Sequence, residues 1–546
     1  MNSLLMLENP REDCVQELAK DSVDGARMSR PLRLVPEAAQ SIEFSCPLCG
    51  SVHAAYIFGK DQFRIYRCAG CALTFSMKPP RRLAVTASPE GAPFQKIERS
   101  ERHHIGLLAA IDSAAIGGPV LVVADPNDRI VGLLEQRGMT IGRVAGPEDL
   151  GPGDWGASYQ AAVVSDALMR VADPRASLLK VHKHLAKAAP LILSVPLLDG
   201  YQARLMGRNW HEWQATNLWY FTRETLNLLL LSAGFEHVWF RSERRSYSLE
   251  NLVERLSRSA EEATWLPSVK ALHWLSPPGL RRQEFPLPSG TAVVTAAAAP
   301  RPSECTVSII VPVYNERATL ETMLDALLAK KLPGLRKEII IVESNSIDGS
   351  RELVQSFESH PDVRIVLQPK PRGKGNAVRE GLKSAIGDIV MIQDADLEYD
   401  LDDYDGLLAP ILSWQAMFIL GSRHQGGWKM RKFNDAPVTA AVFNLAHWGF
   451  KSLMNFLLNT RMTDPFTMFK VFRRDALFGV DFICNRFDFD IELVMKLVRK
   501  GYVPVELPVN YLARSFAEGK KVSVIRDGLT WIWTILRARF SPLTRF

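Results

Sequence analysis

The chain has 546 residues, 47% apolar and 23% charged, with a formal net charge of +6. That composition excludes fibrous and disordered classes, and the charge is too mild to argue for nucleic acid, of which no reading signature is present. The length suggests about three or four domains; no run reaches the roughly 18 uninterrupted apolar residues of a membrane span, and the opening MNSLLMLENPREDC lacks the apolar centre of a signal peptide.

Residues 1–40 are polar, mixed in charge and without period, so they read as a poorly ordered leader. Of seven cysteines, Cys46, Cys49, Cys68 and Cys71 form two Cys-x-x-Cys pairs separated by 18 residues, the spacing of a zinc ribbon over 41–80. Gly50 and Gly70 suit the tight turns around a tetrahedral Cys₄ site, whose full thiolate shell makes the Zn²⁺ structural rather than catalytic. Such usage points to a reducing compartment; a redox pair is the minor reading.

Over 81–275, strands alternate with helices: PVLVV (119–123), a helix over 129–137, AAVVS (161–165), a helix through 185, and LILSV (191–195). This order, with Asp173-Pro174, Ser194-Val195-Pro196, Asn217 to Thr222 and Ala233-Gly234-Phe235, resembles class I S-adenosylmethionine methyltransferases carrying an N-terminal zinc ribbon. The resemblance implies a Rossmann-like fold and a glycine-rich turn after the first strand. Here that turn is Ala124-Asp125-Pro126-Asn127-Asp128, without glycine and with a proline that removes an N–H. The acid expected at the end of the second strand is missing from 142–146. The segment therefore reads as a decayed methyltransferase fold kept as scaffold, with active methyl transfer as the alternative. His103-His104 and His182-x-His184 read as surface or capping residues, because such neighbours do not share a helix face. The Pro/Ala/Gly-rich stretch 276–304 reads as a semi-extended interdomain linker.

From 305 onward four βα units succeed one another, with strands at 307–311, 339–342, 363–367 and 389–392, which predicts a parallel sheet. Leu320, Leu324, Leu327 and Leu328 share one helix face, and Asp348 is placed to cap the next helix. Gly373-Lys374-Gly375 opens a helix with N–H groups and one cation, suited to an anion, although the P-loop spacing is absent. The fourth strand runs into Asp394-Ala395-Asp396, two carboxylates at a strand's carboxyl end, where open α/β sheets bind ligands and where Mg²⁺ or Mn²⁺ takes carboxylate and phosphate oxygens.

Together these phrases resemble the family-2 glycosyltransferases of GT-A fold, and most of all the polyprenyl-phosphate sugar synthases, over about 305–525. The resemblance implies that Pro312, Tyr314, Asn315 and Glu316 border a nucleoside. Glu343 and Ser344 stand where the family usually has two aspartates, which leaves GDP or UDP open. Lys374 would lie near the diphosphate, with Asp394, Asp396 and Glu398 on the metal. Arg423 matches an anion-binding arginine, Arg514 trails a Glu-Leu-Pro-Val strand, and Lys520 and Lys521 fall in a loop that closes over the diphosphate. The whole reads as two Rossmann-like α/β domains behind a small ribbon, the second being the GT-A domain at 305–546.

The chemistry suits these residue types. Displacing a nucleoside diphosphate builds negative charge on the leaving phosphate, which a metal with Lys374, Arg514 and Lys520 or Lys521 stabilises. A polyprenyl phosphate acceptor needs no general base, whereas a glycan hydroxyl would need a carboxylate. Asp490 is the candidate base, with helix capping as its bland reading. Lys429, Arg431 and Lys432 are either an acceptor site or a solvated turn. Segments 438–458 and 527–540 read as amphipathic helices, for a membrane interface or for domain packing. Seven Lys/Arg against two Asp/Glu from Tyr511 onward favour anionic lipid, so a cytoplasmic protein peripheral to the inner membrane face is expected. The rivals are a nucleotidyltransferase, a bifunctional glycosyl- and methyltransferase acting on a surface glycan, and a non-catalytic platform.

Overall fold

A computed structural model describes residues 44–60, 63–77, 104–125, 128–146, 149, 158–250, 253, 257, 266–300, 304–423, 437–512 and 524–543. The expected leader therefore lies outside the described residues. So do His103, Lys429, Arg431, Lys432, Arg514, Lys520 and Lys521. The described residues fall into two compact units, one within 34–301 and one within 302–546.

The first unit begins with an antiparallel meander, β1 (Ala54–Lys60), β2 (Phe63–Cys68) and β3 (Thr74–Met77). Its small α/β sheet then uses β4 (Val120–Val123), β5 (Ile141–Ala145), β6 (Ala161–Ser165) and β7 (Pro190–Pro196), all parallel. The short β8 (Trp219–Tyr220) completes the meander sheet, pairing with β3. Phe58, Phe63 and Ile65 of the meander pack with Trp210, Trp213 and Tyr220, so ribbon and α/β layer share an apolar cluster. β9 (Phe235–Ser248) and β10 (Glu284–Ala298) finish the larger sheet in the order β5-β4-β6-β7-β10-β9.

The linker expected at 276–304 is corrected by β10, which pairs antiparallel with β7 on one side and β9 on the other. Ala292, Val293, Val294, Ala296 and Ala298 are buried; small and β-branched side chains here fill a crowded central strand. Pro286 and Pro288 fall where β10 pairs with β9 alone, the one-sided position a strand proline tolerates.

In the second unit, β11 (Cys305–Val313), β12 (Leu335–Glu343), β13 (Val363–Leu367) and β14 (Ile389–Ile392) form the expected parallel layer in the order β13-β12-β11-β14. The sheet continues through β16 (Lys470–Arg473), antiparallel to β14 and to β15 (Phe418–Ser422). β17 (Val505–Pro508) closes the edge, parallel to β15. Ile389 to Ile392 are buried throughout, as a strand covered on both faces requires. Leu320, Met323, Leu324 and Leu327 of helix Arg317–Ala329 pack under the sheet; Leu328 is only partly buried.

Candidate active site

The first carboxylates after β14 sit as the strand's position dictates. Asp394 and Asp396 are buried at the carboxyl end of the parallel layer, and Gln393 N–H is tied to Ile310 O of β11 at 3.0 Å. Lys374, from the start of helix Lys374–Ser384, sets its ammonium on the Asp394 carboxylate. Burial alone would lower the Lys374 pKa, but Asp394, backed by Asp490 and Asp396, raises it above the usual value. A cation therefore already stands on the carboxylate that would meet a metal. Asp396 accepts from Glu398 N–H at 3.2 Å, and Glu398 accepts from the Tyr511 hydroxyl at 2.8 Å. Asp394, Asp396 and Glu398 do not converge as a three-ligand cluster; among the described residues only the four cysteines do.

Lys374 is held by packing more than by a phosphate-shaped loop. A Cβ on Gly375 would lie 2.4 Å from Phe489 Cβ, and one on Gly373 would lie 2.4 Å from Asn485 O. Both glycines let the helix start lie against segment 485–489, and Asn376 N–H donates to Asn485 O at 2.9 Å. The anion cradle expected of this triplet is thus partly filled by the protein's own carbonyl.

Asp490, near the start of helix Asp488–Lys500, is no cap: Lys470 Nζ donates to its Oδ1 at 2.9 Å and also to Thr467 O. Burial pushes the Asp490 carboxyl upward against the opposing pull of Lys470 and Lys374. Burial likewise pulls the Lys470 ammonium down against Asp490. Asp394, Lys374, Asp490 and Lys470 are thus charges of alternating sign gathered behind β14 and β16.

Arg423 follows β15, but its fork is taken: Nε and Nη2 donate to Asp464 at 2.8 Å each, and its N–H donates at 3.1 Å. Its guanidinium carbon also lies 5.3 Å from the Tyr511 ring centre. Glu506 of β17 accepts from Thr463 and Asp464 N–H at 2.7 Å each. The expected anion-binding arginine is here a strut between β15 and the 463–464 loop. Spacing gave no sign of this partner, 41 residues away.

Of the residues expected to border a nucleoside, Pro312 is the penultimate residue of β11 and Tyr314 is exposed. Asn315 takes φ +52° and accepts from Ile347 N–H at 3.0 Å, while Glu316 N–H donates to Ser350 Oγ at 3.0 Å. Asp348 accepts from Ser350 N–H at 3.0 Å, as expected of a cap, and from Arg317 N–H as well. Glu343 is buried and engaged by Arg351 at 2.7 Å and Ser346 N–H at 2.6 Å. Ser344 Oγ donates to Gln368, which donates to Asn376 at 2.9 Å. Glu343 and Ser344 therefore shape the loop after β12 from within.

In the first unit, Cys46, Cys49, Cys68 and Cys71 bring their sulfurs within 4.8 Å of one another. Four bonds of about 2.3 Å to a tetrahedral ion would set sulfurs roughly 3.8 Å apart, so this donor set fits zinc. Gly50 takes φ +71°, but the matching position of the second knuckle is Ala72 at φ +61°, not Gly70.

The first unit's other candidate, the crevice past β4 and β6, holds its own side chains. His104 is buried rather than on the surface, with Nε2 3.0 Å from Asp128 Oδ1. Ser165 Oγ donates to Asp128 Oδ2 at 2.8 Å, and Arg170 pairs with Asp125. Burial alone would raise the Asp128 carboxyl, yet His104 and the other donors hold it below the usual range. Asp149 lies past β5 but accepts from Gly146 N–H at 2.9 Å. Of the other histidines, His182 bonds Ala299 O at 2.8 Å, and His184 is buried at a helix C-cap.

A family model described as Glycosyl transferase family 2 matches residues 308–478, and one described as Methyltransferase domain matches 90–239. The dolichol-phosphate mannosyltransferase of Pyrococcus furiosus is 27% identical over 234 residues, 42% of this chain and 64% of that protein. The dolichyl-phosphate beta-glucosyltransferase ALG5C of Trichomonas vaginalis is 30% identical over 270 residues, 45% of this chain and 78% of that protein. Glucosyl-3-phosphoglycerate synthase of Mycobacterium tuberculosis, solved with Mn²⁺, UDP-glucose and phosphoglyceric acid, is 21% identical over 44% of this chain and 81% of that chain, with a TM-score of 0.33. At that likeness its ligands say nothing of this chain.

Proposed function

The chain belongs to the family-2 glycosyltransferases, and from that premise we propose that its C-terminal unit moves a sugar from a nucleoside-diphosphate donor to a polyprenyl phosphate, with inversion at the anomeric carbon. The observation that carries this reading is the buried Asp394/Asp396 pair at the end of β14 with the Lys374 ammonium drawn onto Asp394. Two relatives named for dolichol or dolichyl phosphate support the acceptor.

Asp394 and Asp396 would hold Mg²⁺ or Mn²⁺; the lysine on Asp394 marks a place where positive charge is welcome. Such an ion would draw off the charge that builds on the departing diphosphate. Lys374 adds a second positive charge at the same place, oriented by the glycine-permitted contact of its helix with 485–489. Tyr314, Asn315 and Glu316 border the nucleoside from the loop after β11, and Glu343 with Ser344 stiffens the facing loop. Arg423 acts on the site by fixing the 463–464 loop. An anionic phosphate acceptor needs no proton removed, so Asp490 serves to hold Lys470 and Lys374 in register; with a hydroxyl acceptor it would be the base.

No helix among the described residues is long and apolar enough to cross a membrane. Helices Pro437–Leu458 and Val524–Phe540 nonetheless expose Leu445, Trp448, Phe456, Trp533, Leu536 and Phe540, with Arg537 beside Trp533. Apolar and basic side chains together suit the interface where a lipid phosphate waits. The cysteine cluster holds a structural zinc in this reading.

The test is transfer from a panel of GDP- and UDP-sugars to polyprenyl phosphate, with and without Mn²⁺. Metal-dependent, lipid-linked product is expected; sugar transfer confined to hydroxyl acceptors would remove the proposed acceptor.

A further inference from the structure

We infer that the methyltransferase-like part of the first unit is closed from within at its cofactor crevice and takes no S-adenosylmethionine. The topology locates that crevice. β4 leads outward to β5 on one side, whereas the chain returns to pair β6 on β4's other side. Connections therefore diverge between β4 and β6, and ligands of open parallel sheets bind beyond the carboxyl ends of strands at such a point.

Two bridges cross that point. Asp128, in the loop after β4, accepts from Ser165 at the end of β6 at 2.8 Å. Asp125, in the same loop, pairs with Arg170 in the loop after β6. His104, before the first helix, closes on Asp128 from a third side at 3.0 Å, with 1% and 2% of the two side chains exposed. Asp128 also accepts from Ile130 N–H at 3.0 Å, occupying a donor that a helix start would otherwise turn toward a ligand. Asp166, next to Ser165, accepts from Ser194 Oγ at 2.9 Å and so faces β7. Asp149 is bound to its own turn, leaving no described acid past β5 aimed at a ribose.

A cofactor with a charged methionine moiety and a ribose diol needs backbone approach after β4 and a carboxylate after β5. Here the first is filled by paired side chains, and Asp149, the described acid that follows β5, is bound to its own turn. Removing the bridges to admit a ligand would leave the Asp128 carboxylate buried without its partners, which is costly.

The test is calorimetric titration of the intact chain with S-adenosylmethionine and, separately, S-adenosylhomocysteine, alongside thermal unfolding with and without each. We expect no heat beyond dilution and no shift of the transition. We also expect His104→Ala, and more mildly Ser165→Ala, to lower the first unit's transition by the same amount with or without cofactor. Saturable binding in the micromolar range by the unaltered chain would overturn the inference, as would variants at His104 and Ser165 that unfold like the unaltered chain.

Discussion

Replacing Asp464 by asparagine removes one charge from a pair with 0% and 8% side-chain exposure. Arg423 then keeps its charge but loses one of the two carboxylate oxygens that together accept its three bonds, two of them at 2.8 Å. An amide nitrogen placed at either oxygen position would face a guanidinium donor. Breaking one side of a buried pair costs about 3–5 kcal/mol, a large share of the roughly 5–15 kcal/mol that holds a domain folded. Hydrogen exchange in increasing urea, followed on peptides from β15 and β16, reads this unit separately from the first. A loss below about 1 kcal/mol, the scale of exposed pairs, would refute the reasoning. The double change Arg423→Met with Asp464→Leu should recover most of the loss, because a buried pair and a well-packed apolar pair are often equivalent. The pH dependence has a fixed sign. Burial alone would raise the Asp464 carboxyl, but Arg423 overrides it and holds it well below the usual carboxylate range. Its stabilisation is complete above the unfolded value of about 3.9 and is lost as pH falls through the lower folded value. Asp464→Asn should remove that acid-side loss.

Gly375→Ala forces a Cβ to within 2.4 Å of Phe489 Cβ and 2.6 Å of Arg486 O; the overpacking should cost about 1–3 kcal/mol, read as a lowered transition of the second unit. Zinc analysis should find one ion per chain, and chelation or Cys71→Ser should raise hydrogen exchange across β1 to β3, since a structural site contributes directly to folding. Sedimentation with phosphatidylglycerol vesicles should capture the chain at low salt. Changing Trp533, Leu536 and Phe540 together to serine should weaken capture by about tenfold or more, given roughly 1.5–3 kcal/mol for each fully buried large apolar side chain.

The apolar runs of β11, β12 and β14 announce themselves, because strands covered on both faces must be continuous and hydrophobic. The turn residues after each of them are equally legible, and so is the meeting of Lys374 with Asp394, since both follow the carboxyl ends of strands in one parallel layer. β10 is hidden by its alanines, whose value lies in fitting between two neighbours that composition does not reveal. β16 is hidden by its brevity and by Lys470, which is buried only because Asp490 and Thr467 O receive its ammonium. Arg423 reads as a ligand-binding arginine until Asp464 comes into view, and the Asp125 and Asp128 bridges depend on residues after a different strand. Pairings over long sequence separations are set by tertiary packing, so neither period nor motif encodes them.

Sugar turnover by Asp394→Asn and Asp396→Asn, measured with the preferred nucleotide sugar at saturating Mg²⁺ or Mn²⁺, addresses the paired carboxylates most directly. Each variant, compared per folded molecule, should lose about a hundredfold or more in rate, the scale of removing one element of leaving-group stabilisation. Unchanged turnover in either folded variant would contradict the assignment.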